Sequence, residues 1–244
     1  MADPVPAVRE MNEFQRLTGV FWEPRPVFEN LAAHPRWWTP LLLLTALAVV
    51  FTTMLSNVVG FETIIRQQME SNTRLQQLPP EQVEKIIAQQ TGVASKIGIA
   101  GSCLGVSLMT LAIAGILFGV FSLAGGATLK FKQAFSATCY SFLPTGLSTI
   151  LALIVMYFKD PADFDVRSPL PLNAGAFLDA SAVPKWLHSV AASIDVFSIW
   201  VMLLLALGFS AALGKMRFSR ALILVLSSWI VWVLAKAGWA TVFG

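Results

Sequence analysis

Charge is scarce in this sequence. Only 13% of its 244 residues are Asp, Glu, Lys or Arg, and 56% are apolar. An ordinary soluble domain carries about 25% charged residues. With a mean hydropathy of +0.68, the composition points to a chain that dissolves in lipid. Histidine and cysteine are scarcer still, two of each. His34 and His188 fall on opposite sides of any bilayer the chain crosses, so a His-based metal site or a His-assisted nucleophile has no partner within reach. HExxH, a phosphate-cradling glycine loop ending in Lys-Ser/Thr and a pair of intramembrane aspartates are all missing. Asp160, Asp163 and Asp165 lack the glycine and the distal glutamate of an EF-hand, which leaves a solvated acidic loop. These gaps imply no catalytic residues, no cofactor and no metal, and the chain reads as non-enzymatic.

What is present in quantity is long apolar sequence. A membrane span needs about 20 mostly apolar residues, and five stretches qualify: 38–59, 97–124, 134–158, 188–213 and 219–243. Trp37 and Trp38 bracket the first, and Lys96 precedes the second, as interfacial residues do. The expected fold is all-α: a polytopic bundle of five transmembrane helices in residues 38–244, preceded by an arm of residues 1–37. Nothing near the N-terminus reads as a cleavable signal peptide. In the arm, Val27–Ala33 follows Pro26 and stops at Pro35, which predicts a short amphipathic helix with Phe28 and Leu31 facing the membrane surface. Between spans one and two, Phe61, Ile64, Ile65 and Met69 have helical spacing. A second helix start follows at Pro79-Pro80-Glu81-Gln82, with Val83, Ile86 and Ile87 on one face. Together they predict a helical hairpin on the outer side.

The bases are arranged by topology, so the sequence pI of about 9.0 is no sign of nucleic-acid binding. Lys130 and Lys132 between spans two and three, and Lys215, Arg217 and Arg220 between four and five, have no acid beside them. The other two connections balance acids against bases. The positive-inside rule then places the N-terminus in the cytosol and the C-terminus outside the cytoplasmic membrane. On that topology Cys103 and Cys139 differ in depth, which argues against a disulfide and leaves two small apolar residues.

Some residues stand out against the apolar background. Asp195 lies in the fourth apolar run and Lys236 in the fifth. Equal spacing from the basic turn at Met216 brings them to nearly the same depth, so a direct pair is expected. The alternatives are that Asp195 binds Ser193 or backbone, and that Lys236 snorkels to the interface. Pro144 should kink span three next to the Tyr140 hydroxyl, an arrangement that either lines a cavity or serves packing. Gly101 and Gly105, and Gly115 and Gly119, have the spacing that lets helices approach closely; packing within the chain is the first expectation and homo-oligomerisation the second.

Three stretches carry a family likeness. They are Glu23-Pro24-Arg25-Pro26-Val27-Phe28 through His34-Pro35-Arg36-Trp37-Trp38-Thr39-Pro40-Leu41, then Tyr140-Ser141-Phe142-Leu143-Pro144, and Ile194-Asp195-Val196-Phe197-Ser198-Ile199-Trp200 through Leu205-Ala206-Leu207-Gly208. Lys236 follows late in span five. Across roughly residues 15 to 243 the chain resembles the Yip domain family, the Ypt/Rab-interacting membrane proteins, in its prokaryotic branch. The resemblance implies five membrane helices, a cytosolic N-terminus and no catalytic residues. It marks Asp195, Phe197, Trp200, Tyr140, Pro144 and Lys236 as candidate structural or functional residues. Eukaryotic members are implicated in Rab binding. This chain lacks their Asp-Leu-Tyr-Gly-Pro signature, of which Pro40 alone has a counterpart, so that role is not carried over. The expected function is an accessory or scaffold protein in membrane organisation, trafficking or transport, with the lipid bilayer and an unidentified protein as partners. The alternative is a small-solute or ion transporter or channel using Asp195 and Lys236.

Overall fold

A computed structural model describes residues 10–70, 78–125, 129–166, 168–179 and 182–243. The fold is all-α, and among the described residues five helical segments are long and apolar enough to cross a membrane. By packing, the chain divides into two compact units. The first holds the chain up to Leu43 with Leu108–Thr145 and Phe197–Trp232; the second holds Leu44–Ser107, Gly146–Val196 and the chain from Val233 on.

The first unit begins with helices α1 (Glu13–Trp22) and α2 (Pro24–Ala33). Asn12 and Gln15 start α1 with a capping box: the Asn12 side chain accepts the Gln15 N–H at 2.8 Å and the Gln15 side chain accepts the Asn12 N–H at 3.0 Å. Two otherwise orphaned donors are satisfied this way. Helix α2 starts three residues before the predicted Val27, because Pro24 and Pro26 both fit a first turn whose N–H groups need no helical partner. Phe28 and Leu31, expected to face the membrane surface, are 1% and 2% exposed. They pack instead on Ala137, Tyr140, Leu143 and Leu204 in a core shared with Val20 and Val27. The arm's apolar face is thus taken up by protein.

Helix α3 (Trp38–Val58) is the first span, and Gly60, at φ +83°, turns the chain into α4 (Phe61–Glu70). Helix α5 runs unbroken from Pro80 to Gly125, 46 residues, about 69 Å at 1.5 Å per residue. It therefore contains both the second arm of the predicted hairpin and the second span. The hairpin exists: Ile65 and Met69 of α4 pack on Ile87, Val83 and Ile86, and Arg66 bonds both oxygens of Glu84 at 2.8 and 3.0 Å. The tip connection 71–77, with Arg74, lies outside the described residues.

Span three is two helices, α6 (Phe131–Ser141) and α7 (Leu143–Phe158). The interruption at Phe142 falls two residues before Pro144, whose ring nitrogen has no proton to offer Tyr140. The kink expected from Pro144 is therefore a break. Close packing of α7 on α3 follows at Gly146, where a Cβ would lie 3.1 Å from both Leu44 and Leu47.

The fourth apolar run is also divided. Helix α8 (Lys185–Ala192) ends before Ser193, and α9 begins at Val196 and ends at Leu213. Asp195 is consequently not inside a helix. It sits in an isolated antiparallel bridge with Asn173, made by the Ala174 N–H to Ile194 O at 2.9 Å and the Val196 N–H to Leu172 O at 3.4 Å. Apolar sequence alone does not reveal such a break, since Ser193 and Asp195 are its sole polar residues. Gly214, at φ +60°, closes α9 and leads to α10 (Phe218–Phe243). In the first unit α9 is central: Phe209 stacks on Phe121 of α5 at 4.4 Å, with Ala134, Ala221 and Val225 in the same cluster.

The glycine pairs of span two behave differently from expectation. A Cβ on Gly101, Gly105, Gly115 or Gly119 would meet nothing within 4 Å. Among the described residues they mediate no close packing. Gly208 in α9 does: its added Cβ would lie 3.0 Å from Ala137 and from the Phe28 ring.

Candidate functional site

The densest polar chemistry lies in the first unit, where the N-terminal arm meets α6 and the start of α3. Arg16 projects from the buried side of α1, one turn from Val20, and is 0% exposed. A charge so placed is costly unless every donor finds an acceptor. Its Nε and Nη2 donate to Asn30 Oδ1 at 3.1 and 2.9 Å. Its Nη1 donates to Glu13 Oε1 at 3.0 Å. Asn30, 1% exposed on α2, also accepts the Met11 N–H at 3.3 Å. The two arm helices are thus joined by polar bonds as well as by the apolar core of Val20 and Val27.

Glu13 extends the cluster to the membrane helices. Its Oε2 accepts the Thr39 hydroxyl at 2.7 Å and the Tyr140 hydroxyl at 2.8 Å. Arg36 bridges to Glu10 at 2.8 Å and to Glu13 at 3.5 Å. Burial by itself would push the Glu13 carboxyl up. The bonds from Thr39 and Tyr140 and the charges of Arg16 and Arg36 outweigh it, so the carboxyl titrates below the ordinary glutamate range. At the other end of α2, Gln133 of α6 donates to Ala32 O at 2.7 Å. Phe21 meets Trp200 edge-on with centroids 5.6 Å apart, and Trp37 packs on Phe135 at 5.3 Å. The arrangement binds three chain segments together and spends its charges internally.

Of the six residues singled out from sequence, Tyr140, Pro144, Phe197 and Trp200 belong to the first unit, and Asp195 and Lys236 to the second. Tyr140 and Trp200 enter the same arm-binding core. Phe197 is 9% exposed at the start of α9, and Pro144 is buried behind the break in span three. In the second unit, the Lys236 ammonium donates to Ser193 Oγ at 3.0 Å. Lys236 is therefore brought to the three-residue turn that carries Asp195, with the hydroxyl two residues earlier as its hydrogen-bond partner.

Reading the sequence missed Glu13, Arg16, Asn30 and Thr39. A signal for Arg16 was available. It falls four residues before Val20 on the apolar side of a helix that begins with an Asn-x-x-Gln capping box, and a lone arginine there demands internal partners. Nothing local nominated Thr39 or tied Glu13 to Tyr140, 127 positions away.

Comparison with known proteins agrees with this architecture. The family model of the Yip1 domain matches residues 18–240. The membrane protein YknW of Bacillus subtilis (strain 168) is 26% identical over 194 residues, which cover 79% of this chain and 76% of that protein. No solved structure matches the chain.

Proposed function

The chain belongs to the Yip1 domain family, and from that premise we propose that it is a non-enzymatic scaffold or accessory protein of the cytoplasmic membrane, with its N-terminus in the cytosol and its C-terminus outside. The observation that supports this reading is the use made of polar side chains in the first unit. Glu13, Arg16, Asn30, Thr39 and Tyr140 bond one another. They fix the arm on the membrane helices rather than line a continuous polar route. The docked arm and five basic residues of the same unit, Lys130, Lys132, Lys215, Arg217 and Arg220, give a cytosolic face on which a protein partner assembles. The orientation rests on those unbalanced bases.

A second reading, transport, is favoured by the Lys236–Ser193 contact beside Asp195, since ionisable groups in apolar surroundings often mark a transported ion's route. Crosslinking in native membranes and flux in proteoliposomes separate the two. A scaffold yields a reproducible crosslinked protein that is lost when Glu13→Gln and Tyr140→Phe are combined and retained in Asp195→Asn. A transporter yields solute flux that Asp195→Asn abolishes, and that outcome rejects the scaffold reading.

A further inference from the structure

The arm hides its apolar face in protein, yet α1 leaves two large aromatic side chains almost bare. Phe14 is 74% and Trp22 84% exposed. With the exposed Thr18 between them, they recur every four residues along one side of α1. On a helix in water such a pair would be an unexplained liability.

The height of α1 along the bundle supplies the explanation. Its first turn is tied to the start of span one by the Thr39–Glu13 contact, and Arg36 bonds Glu10 just ahead of the helix. Thr39 follows the interfacial pair Trp37-Trp38, 38% and 48% exposed. Its last turn is tied to α9 by the Phe21–Trp200 contact. Trp200 lies 13 residues before Leu213, about 20 Å along the helix from the basic Lys215-Arg217 turn. Tyr140 lies nine residues after Phe131, about 14 Å from the Lys130-Lys132 loop by the same rise. One leaflet of hydrocarbon is about 15 Å deep. The first turn of α1 is therefore level with the entry of span one, and its last turn, held at Trp200, lies beside the lipid-crossing length of α9. Trp and Phe at that level are the usual anchors of the headgroup–acyl boundary.

We propose that α1 is a membrane-interface helix whose Phe14–Thr18–Trp22 side lies in the lipid leaflet bordered by the five basic residues, with Phe14 and Trp22 inserted among the acyl chains. This assigns lipid contact to α1, where the sequence suggested Phe28 and Leu31 of α2. The naming of that leaflet as cytosolic rests on the orientation proposed above; the burial of α1 in lipid does not. The exposed ion pair Arg25–Glu29 on α2 marks the water side of the arm.

The test uses the full chain in vesicles of phosphatidylethanolamine and phosphatidylglycerol. Nitroxide labels are placed at Phe14→Cys, Thr18→Cys and Trp22→Cys, with Glu29→Cys as the aqueous control, after replacing Cys103 and Cys139 with alanine. Collision with oxygen should exceed collision with a water-soluble nickel chelate at the three α1 sites, and the order should reverse at the control. A benzophenone amino acid at position 14 or 22, in the otherwise natural sequence, gives a second measurement that needs no cysteine replacement, and phospholipid adducts are expected. Chelate-dominated collisions at all three sites overturn the proposal. So do protein adducts at positions 14 and 22, which would show a second copy or another protein on that side of α1. If the lipid result holds while the scaffold reading fails in flux and crosslinking, the assignment of α1 stands without it.

Discussion

The Tyr140 hydroxyl donates to Glu13 at 2.8 Å, joining residues 127 positions apart. This bond holds an arm helix against the third span, at a point where the same carboxylate also receives Thr39 and Arg16. The consequences of cutting it differ with which partner is removed.

Tyr140→Phe deletes one hydrogen bond to a charged acceptor and should cost about 1.5–3 kcal/mol. Glu13→Ala leaves Arg16 buried without its carboxylate and should cost about 3 kcal/mol or more. Arg16→Met, which removes the charge and keeps the bulk, should be milder than Glu13→Ala. Thermal unfolding in detergent, read as loss of monodisperse protein, ranks the three. Equal losses for Arg16→Met and Glu13→Ala would show that the charge itself carries no special cost.

Docking of the arm should depend on acid. The Glu13 carboxyl lies below its ordinary value of 4.5 when the arm is docked. A group with a depressed folded pKa stabilises the docked form above its undocked pKa. That contribution is lost as pH falls through the docked value. Protease cleavage within the arm should therefore stay slow at neutral pH and speed up in strongly acidic buffer. In Glu13→Gln the acceleration attributable to this carboxyl should disappear.

At the turn before α9, Ser193 and Lys236 should be energetically coupled. A double-mutant cycle of Ser193→Ala with Lys236→Ala is expected to show an interaction of about 0.5 kcal/mol or more. The parallel cycle of Asp195→Ala with Lys236→Ala measures whether Asp195 shares in it. Strict additivity in the first cycle would mean that the 3.0 Å contact contributes nothing.

Glycines of the two kinds should respond in opposite ways to one methyl group. Gly208→Ala forces a Cβ to 3.0 Å from the Phe28 ring and Ala137 and should destabilise by about 1–3 kcal/mol. Gly105→Ala meets open space and should be neutral, or stabilise by up to about 1 kcal/mol through helix propensity. Unfolding midpoints of the two purified variants decide it. A large loss for Gly105→Ala would reveal that another helix covers that side of α5.

Much of this architecture was legible because it follows from local chemistry. A run of about twenty apolar residues has one inexpensive solution in lipid, the helix that satisfies its own backbone. That logic located the five spans, and the spacing of Ile65, Met69, Val83 and Ile87 announced the hairpin now seen between α4 and α5. Proline chemistry placed the end of α2 before Pro35 and the disturbance of span three near Pro144. The family likeness was legible too, and the match over residues 18–240 establishes it.

Other features depended on partners far along the chain. Equal spacing put Asp195 and Lys236 at one depth on the assumption of a continuous helix through Ser193. That helix is interrupted at the bridge to Asn173, and the Ser193 hydroxyl receives the lysine. The side of α2 carrying Phe28 and Leu31 has the same apolar pattern whether it meets lipid or protein; the packing of Ala137 and Leu204 chose protein. Arg16 is tolerable only where Asn30 and Glu13 converge on it. Local propensity and hydropathy are sums over neighbouring residues, and they determined which segments cross the membrane. Burial of a charge depends on what long-range folding brings to within 3 Å, so the tertiary structure alone decided where this chain's charges are kept.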